Sequence, residues 1–169
     1  MRAIRFAGSL VSALILGLAL AGCDAPNEQE ETDTVETEAA NDGPVAVSAP
    51  EDVAGPPEDA ERSESGLAWK VLQAGDGATP SEADQVRVHY TGWTTDGERF
   101  DSSVERGQPA EFPAGALIEG WVETLTMMQA GEVRRVWIPG ELAYDDMDRP
   151  DAPQGMLVFE LKLIEVLGD

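Results

Sequence analysis

Between Asp24 and Ser65 the chain offers almost nothing from which to build a core. Fourteen of these residues are Asp or Glu, one (Arg62) is basic, and none is aromatic. Val35, Val45, Val47 and Val53 are the only larger aliphatics. Such a stretch cannot bury enough apolar area to offset the entropy of ordering it. It reads as a disordered tether over residues 23–65, with flexible-coil dimensions of ~35 Å that its own charge repulsion extends further. Whatever folds is therefore expected to lie in residues 66–169, where aromatic and β-branched residues return.

The chain starts differently. Arg2 and Arg5 precede an apolar run from Leu10 to Ala21. That run falls short of the ~20 apolar residues of a comfortable membrane span and matches the hydrophobic part of a secretory signal. It ends Leu20-Ala21-Gly22-Cys23, with small residues directly ahead of the only cysteine. This resembles a bacterial lipoprotein signal: residues 1–22 are removed and Cys23 is acylated. The expected location is the cell envelope, on the periplasmic face of a membrane. An ordinary secretory cleavage would instead leave Cys23 as a free thiol. The lipid reading accounts for both the presence and the place of that cysteine. It anchors the protein to a membrane surface without spanning it.

Charge narrows the partners. The net formal charge is −22, and a polyanion of this kind repels phosphate backbones and anionic headgroups, so no nucleic-acid partner is expected. One cysteine allows neither an internal disulfide nor a cysteine-rich metal site. Asp145-Asp146-Met147-Asp148 lacks the spacing and the glycine of an EF-hand loop and reads as a solvated loop. The tether shows no helical arm for oligomerisation, so the expected state is a monomer.

In residues 66–169 the periodicities point to sheet. Gly66 to Gln73 has strand character, and Ala74 to Pro80 reads as a turn. Val86, Val88 and Tyr90 alternate with Arg87 and His89, the period of a half-buried strand. Asp96-Gly97 marks a turn. Trp121, Val122, Leu125 and Met128 share one helical face, with Gly131 as its stop. Val133 to Ile138 is a strand, and Met156 to Leu167 is a long one. The expected class is α+β: a twisted antiparallel sheet around one short helix.

Several strings in this region, taken in order, resemble one family. They are Val88-His89-Tyr90-Thr91-Gly92, Asp96-Gly97, Phe100-Asp101-Ser102-Ser103, Phe112-Pro113, Ile118-Glu119-Gly120-Trp121, Ile138-Pro139, Glu141-Leu142-Ala143-Tyr144 and Leu157-Val158-Phe159-Glu160. Together they are similar to the FKBP-type peptidyl-prolyl cis-trans isomerases, from about Leu67 to Val166. The resemblance implies a shallow apolar pocket for a proline ring, lined by Tyr90, Phe100, Phe112, Leu117, Ile118, Trp121, Tyr144 and Phe159, with Trp121 as its floor. It places Asp101 at the rim and implies catalytic roles for Tyr90, Asp101 and Tyr144. The Tyr144 hydroxyl and the Ile118 backbone N–H would hydrogen-bond carbonyls of the peptide. Isomerisation changes no covalent bond, so no nucleophile, cofactor or metal is implied. The implied partners are unfolded or partly folded polypeptides containing X–Pro bonds.

Plainer readings stand beside these. Phe159 and Trp121 suit a core as well as a site, and Asp101-Ser102-Ser103 suits a turn cap. His89, the only histidine, lies on the polar phase of its strand without a nucleophile pattern nearby. Trp69, Trp93 and Trp137 read as structural or partly exposed. Three departures from the family pattern bear on activity. Ala110 stands where many members carry an aromatic, the Phe112–Trp121 segment is short, and the 145–155 loop is short and acidic. Ala110 and the altered loop favour the alternative function, a proline-segment binding module or chaperone with little turnover.

Overall fold

The computed structural model describes residues 45–168. Seven strands and one α-helix follow in order: β1 (Glu61–Arg62), β2 (Ala68–Gln73), β3 (Gln85–Thr94), β4 (Arg99–Ser102), β5 (Ala110–Pro113), α1 (Glu119–Thr126), β6 (Val133–Ile138) and β7 (Leu157–Gly168). All pairings are antiparallel, and the spatial order is β1-β2-β6-β7-β3-β4, with β5 also on β3. The α+β expectation holds: a single sheet is wrapped on one helix.

The two longest strands lie together at the centre. β3 and β7 pair from Gln85↔Gly168 to Thr94↔Leu157. Along its other edge β3 takes β5 against Gln85–Val88 and β4 against Thr91–Trp93. Ser103 bridges the gap between these two partners. Its backbone N–H donates to the Tyr90 carbonyl at 2.9 Å, and its hydroxyl accepts from the Tyr90 N–H at 2.8 Å. The same hydroxyl lies 3.0 Å from Nδ1 of His89.

Alternation sorts the side chains of the central strands. Val86, Val88 and Tyr90 from β3, Val136 and Ile138 from β6, and Leu157, Phe159, Leu161 and Leu163 from β7 form one buried cluster under α1. The helix adds Trp121 and Leu125. At eight residues it is marginal in isolation, so packing rather than propensity must hold it. Gly120 lets it approach β6, because a Cβ there would fall on Cγ2 of Ile138. The helical spacing that includes Met128 overshoots the observed end at Thr126. Met127 and Met128 donate to Thr124 and Leu125, so the last turn tightens and the chain leaves the axis before Gly131.

The expected boundary at residue 66 requires correction. Residues 45–65, the second half of the expected tether, pack on the opposite face of the sheet. Val53 and Ala60 rest on the buried set Ala68, Trp137 and Val158. Trp137 Nε1 donates to the Asp52 carbonyl at 3.0 Å. Arg135 donates to Asp52 at 2.5 Å and to Glu160 at 2.6 Å, while the Ala46 N–H donates to Glu160 at 2.7 Å. β1 then joins the sheet beside β2. This strap is held by hydrogen bonds and ion pairs to polar groups on the sheet, so its low apolar content does not prevent order. The expected signal (1–22), the lipidation of Cys23 and the tether up to residue 44 lie outside the described residues.

Candidate active site

A cavity of about 200 Å³ opens between the sheet and the start of α1. Its lining is Tyr90, Phe100, Asp101, Phe112, Leu117, Ile118, Trp121, Tyr144 and Phe159. All nine site residues read from the sequence are brought together here, from β3, β4, β5, the β5–α1 connection, α1, the β6–β7 loop and β7. The remaining one, Cys23, lies outside the described residues. The volume is several times a water molecule's ~30 Å³ share of the liquid, enough for a five-membered ring and a flanking carbonyl.

Trp121 is the centre of the lining. Its ring meets Tyr90 at 5.1 Å and 81°, Phe112 at 6.1 Å and 87°, and Phe159 at 5.4 Å and 90°. Phe100 stands edge-on to Phe159 at 5.5 Å. Edge-to-face contacts fix ring orientation as well as burying area. The indole is 5% exposed, so it is core on one side and floor on the other. Gly92 makes the Phe100–Phe159 wall possible, since a Cβ there would lie 2.7 Å from Phe100 and 2.6 Å from Phe159. Ala110 packs against the core two residues before Phe112 and does not line the cavity.

The polar rim is built on Asp101. The Tyr90 hydroxyl donates to its Oδ2 at 2.6 Å, and Arg106 pairs with its Oδ1. Arg106 also donates to the Tyr90 oxygen at 2.8 Å, and its guanidinium lies 5.5 Å from the Tyr90 ring centroid. Burial pushes the Asp101 carboxyl up, but the hydrogen bonds from Tyr90 and Arg106 outweigh it and hold the group below its ordinary value. Burial pushes Tyr90 up, with the bond to Asp101 adding to it. Tyr90 is thus a neutral donor committed to a carboxylate. Tyr144 differs: burial raises it too, but its hydroxyl has no hydrogen-bond partner among the described residues and can donate to a ligand. Arg106 was missed from sequence. It sits in the Val104–Gly107 turn, where no periodicity marks it. A base five residues after Asp101 was the only signal.

The lowered Asp101 value has a pH consequence. A carboxyl with a depressed folded pKa stabilises fully above its unfolded value and loses that contribution as pH falls through the folded one. The unfolded reference is 3.8. The stability difference between the wild type and Asp101→Asn is therefore expected to stay flat from about pH 7 to about pH 4 and to close only below it. Denaturant titrations across that range check this. A gap that closes between about pH 5 and 6 would contradict the arrangement.

Beside the cavity a second groove, of about 470 Å³, runs along Phe100, Asp101, Tyr144 and the loop Asp148–Pro153. Of residues 145–148, expected as a solvated loop, only Asp148 lines this groove; residues 149–153 supply the rest of that wall, Arg149 among them.

Comparison with known proteins agrees with the geometry. A profile of the FKBP-type peptidyl-prolyl cis-trans isomerases matches residues 77–164. The chain is 50% identical over 107 residues to the FKBP-type 22 kDa peptidyl-prolyl cis-trans isomerase of Escherichia coli, covering 62% of this chain and 52% of that protein. It is 42% identical over 104 residues to the outer membrane protein MIP of Legionella longbeachae, covering 60% and 45%. The crystal structure of AtFKBP13 superposes with a TM-score of 0.59 at 30% identity, covering 64% of this chain and 98% of that one. The chain spans about half the length of the curated relatives it matches.

Proposed function

The chain belongs to the FKBP-type peptidyl-prolyl cis-trans isomerases, and on that premise we propose that it accelerates X–Pro isomerisation in exported polypeptides. The observation that carries this is the cavity itself: six aromatic rings and two aliphatic side chains around one tied carboxylate. Leu117 and Ile118 complete the apolar lining, which takes the proline ring with Trp121 beneath it.

The uncatalysed barrier is ~18–20 kcal/mol, because rotation breaks amide resonance. Unaided, the bond turns over in tens to hundreds of seconds. The twisted amide has lost conjugation, and its carbonyl carries less negative charge than the planar one. A pocket that excludes water withholds the solvation that favours the planar form. The Tyr144 hydroxyl and the Ile118 N–H are assigned to peptide carbonyls, holding the chain bent. Ile118 suits this role because it precedes α1 in extended conformation, with φ −62° and ψ 148°. Asp101, fixed by Tyr90 and Arg106, sets the field at the rotating carbonyl. Binding the twisted bond better than either planar isomer is the whole of the catalysis.

We assign the anchor to an acylated Cys23 at the bacterial envelope and the working state to a monomer. The name of the Legionella relative, an outer membrane protein, supports the envelope reading. The test is NMR exchange between cis and trans forms of a Pro peptide with catalytic amounts of the full chain. Faster exchange is expected, greater for Lys-flanked than Glu-flanked prolines at low salt, given the acids Asp101, Asp148 and Asp151 along the rim. Binding without faster exchange would replace the enzyme with a proline-segment binding module. Equal turnover of the two peptides would remove the charge preference.

A further inference from the structure

Asp145 has no place in the chemistry above and is exposed, yet its carboxylate is engaged by the backbone of its own loop. Its Oδ1 accepts the backbone N–H of Gly155 at 2.7 Å. The carboxylate thereby joins the two ends of the loop between Tyr144 and β7. Its own N–H donates to the Gly140 carbonyl at 3.0 Å, and the Ala143 N–H donates to the same oxygen at 2.9 Å. Tyr144 is thus held between two residues pinned to one carbonyl. The carboxylate lies directly over Gly140, where a Cβ would overlap Oδ2 and stand 2.8 Å from Oδ1. The seat of the carboxylate is the hydrogen of a glycine.

We propose that Asp145 and Gly140 form a clasp that positions Tyr144 and shapes the groove along Asp148–Pro153, so that Asp145 is a positioning residue for peptide binding. The clasp rests on the isomerase reading for its role, though not for its existence. A loop closed at its base by one carboxylate keeps its wall near the pocket, and a loop released there lets Tyr144 wander from the peptide carbonyl. The effect falls on substrate binding, because the apolar floor at Trp121 lies on other elements.

The experiment uses the full chain with Asp145→Ala, Asp145→Asn, Gly140→Ala and the Gly140→Ala/Asp145→Ala pair. Each is made with and without Tyr144→Phe. Exchange of a Pro peptide gives kcat and KM, and the Gly155 amide proton shift reports the clasp without activity. Losing a bond to a charged acceptor predicts about a tenfold fall in kcat/KM for Asp145→Ala, carried mainly by KM. The Gly155 proton should move upfield. Asp145→Asn keeps an acceptor oxygen and should stay within about twofold. Gly140→Ala should match Asp145→Ala, and the pair should be no worse than either single variant, because removing the carboxylate vacates the space the methyl needs. In the Tyr144→Phe background Asp145→Ala should add less than about twofold, as expected for two residues acting through one contact.

The proposal is overturned if Asp145→Ala costs as much without the Tyr144 hydroxyl as with it. An unchanged Gly155 proton or unchanged kcat/KM in Asp145→Ala overturns it equally. Should the wild type fail to accelerate exchange, the isomerase reading falls instead. The Gly155 shift and the peptide's Kd then still decide the clasp.

Discussion

Trp121→Ala is expected to destabilise the domain by about 3–5 kcal/mol, the range for truncating a large buried aromatic. The indole is 5% exposed and meets three other rings edge to face. No neighbour can collapse into its place, since Tyr90 is tied through its hydroxyl and Phe159 is held in β7 between β3 and β6. Typical domains have about 5–15 kcal/mol in total, so the variant should sit close to unfolding. Guanidinium unfolding followed by circular dichroism measures this without relying on the other tryptophans. Trp121→Phe keeps a ring and should lose less than half as much. A loss below about 1 kcal/mol for the alanine variant would mean that the indole is lining only, with no share in the core.

The largest functional effect at small structural cost is expected from Asp101→Val. The substitution strips the Tyr90 hydroxyl and Arg106 of their shared acceptor. Charge-assisted hydrogen bonds are worth about 1.5–3 kcal/mol each, so a fall in kcat/KM of about 10- to 100-fold follows if both orient the rim. The stability cost should stay near 1 kcal/mol, because about two-fifths of the Asp101 side chain faces water and screening weakens the pair. Tyr144→Phe removes a single neutral donor and should cost about tenfold or less. Parallel NMR exchange and unfolding measurements separate the two effects. A kcat/KM within about threefold of wild type in Asp101→Val would remove the carboxylate from the mechanism and leave the apolar lining alone.

The lining was legible through the resemblance of ordered strings to one family, and periodicity supports it at Tyr90. Tyr90 follows Val86 and Val88 at a period of two, and that phase carries it to the inner side. Strand order was not legible. Nothing local in Val133–Ile138 or Leu157–Gly168 says that β7 inserts between β6 and β3; that follows from closing the sheet around α1. Arg106 escaped because its role is to reach back from a turn to a residue five positions earlier, which leaves no pattern. The strap escaped for a different reason. Composition measures how much apolar area a segment can bury by itself, whereas residues 45–60 borrow theirs from Trp137 and Val158 and satisfy Arg135 and Glu160 with Asp52 and the Ala46 amide. A segment poor in core residues is still ordered when it completes a surface that would otherwise be left half-solvated.

Val45–Ala60 lies on the side of the sheet away from the cavity and leaves its mouth clear. A fluorophore coupled to an exposed residue of this strap, such as Val47, stays away from that mouth. Trimming the gene to start at Gly66 would instead strip the back of the sheet, turning Ala68, Trp137 and Val158 into a sticky surface.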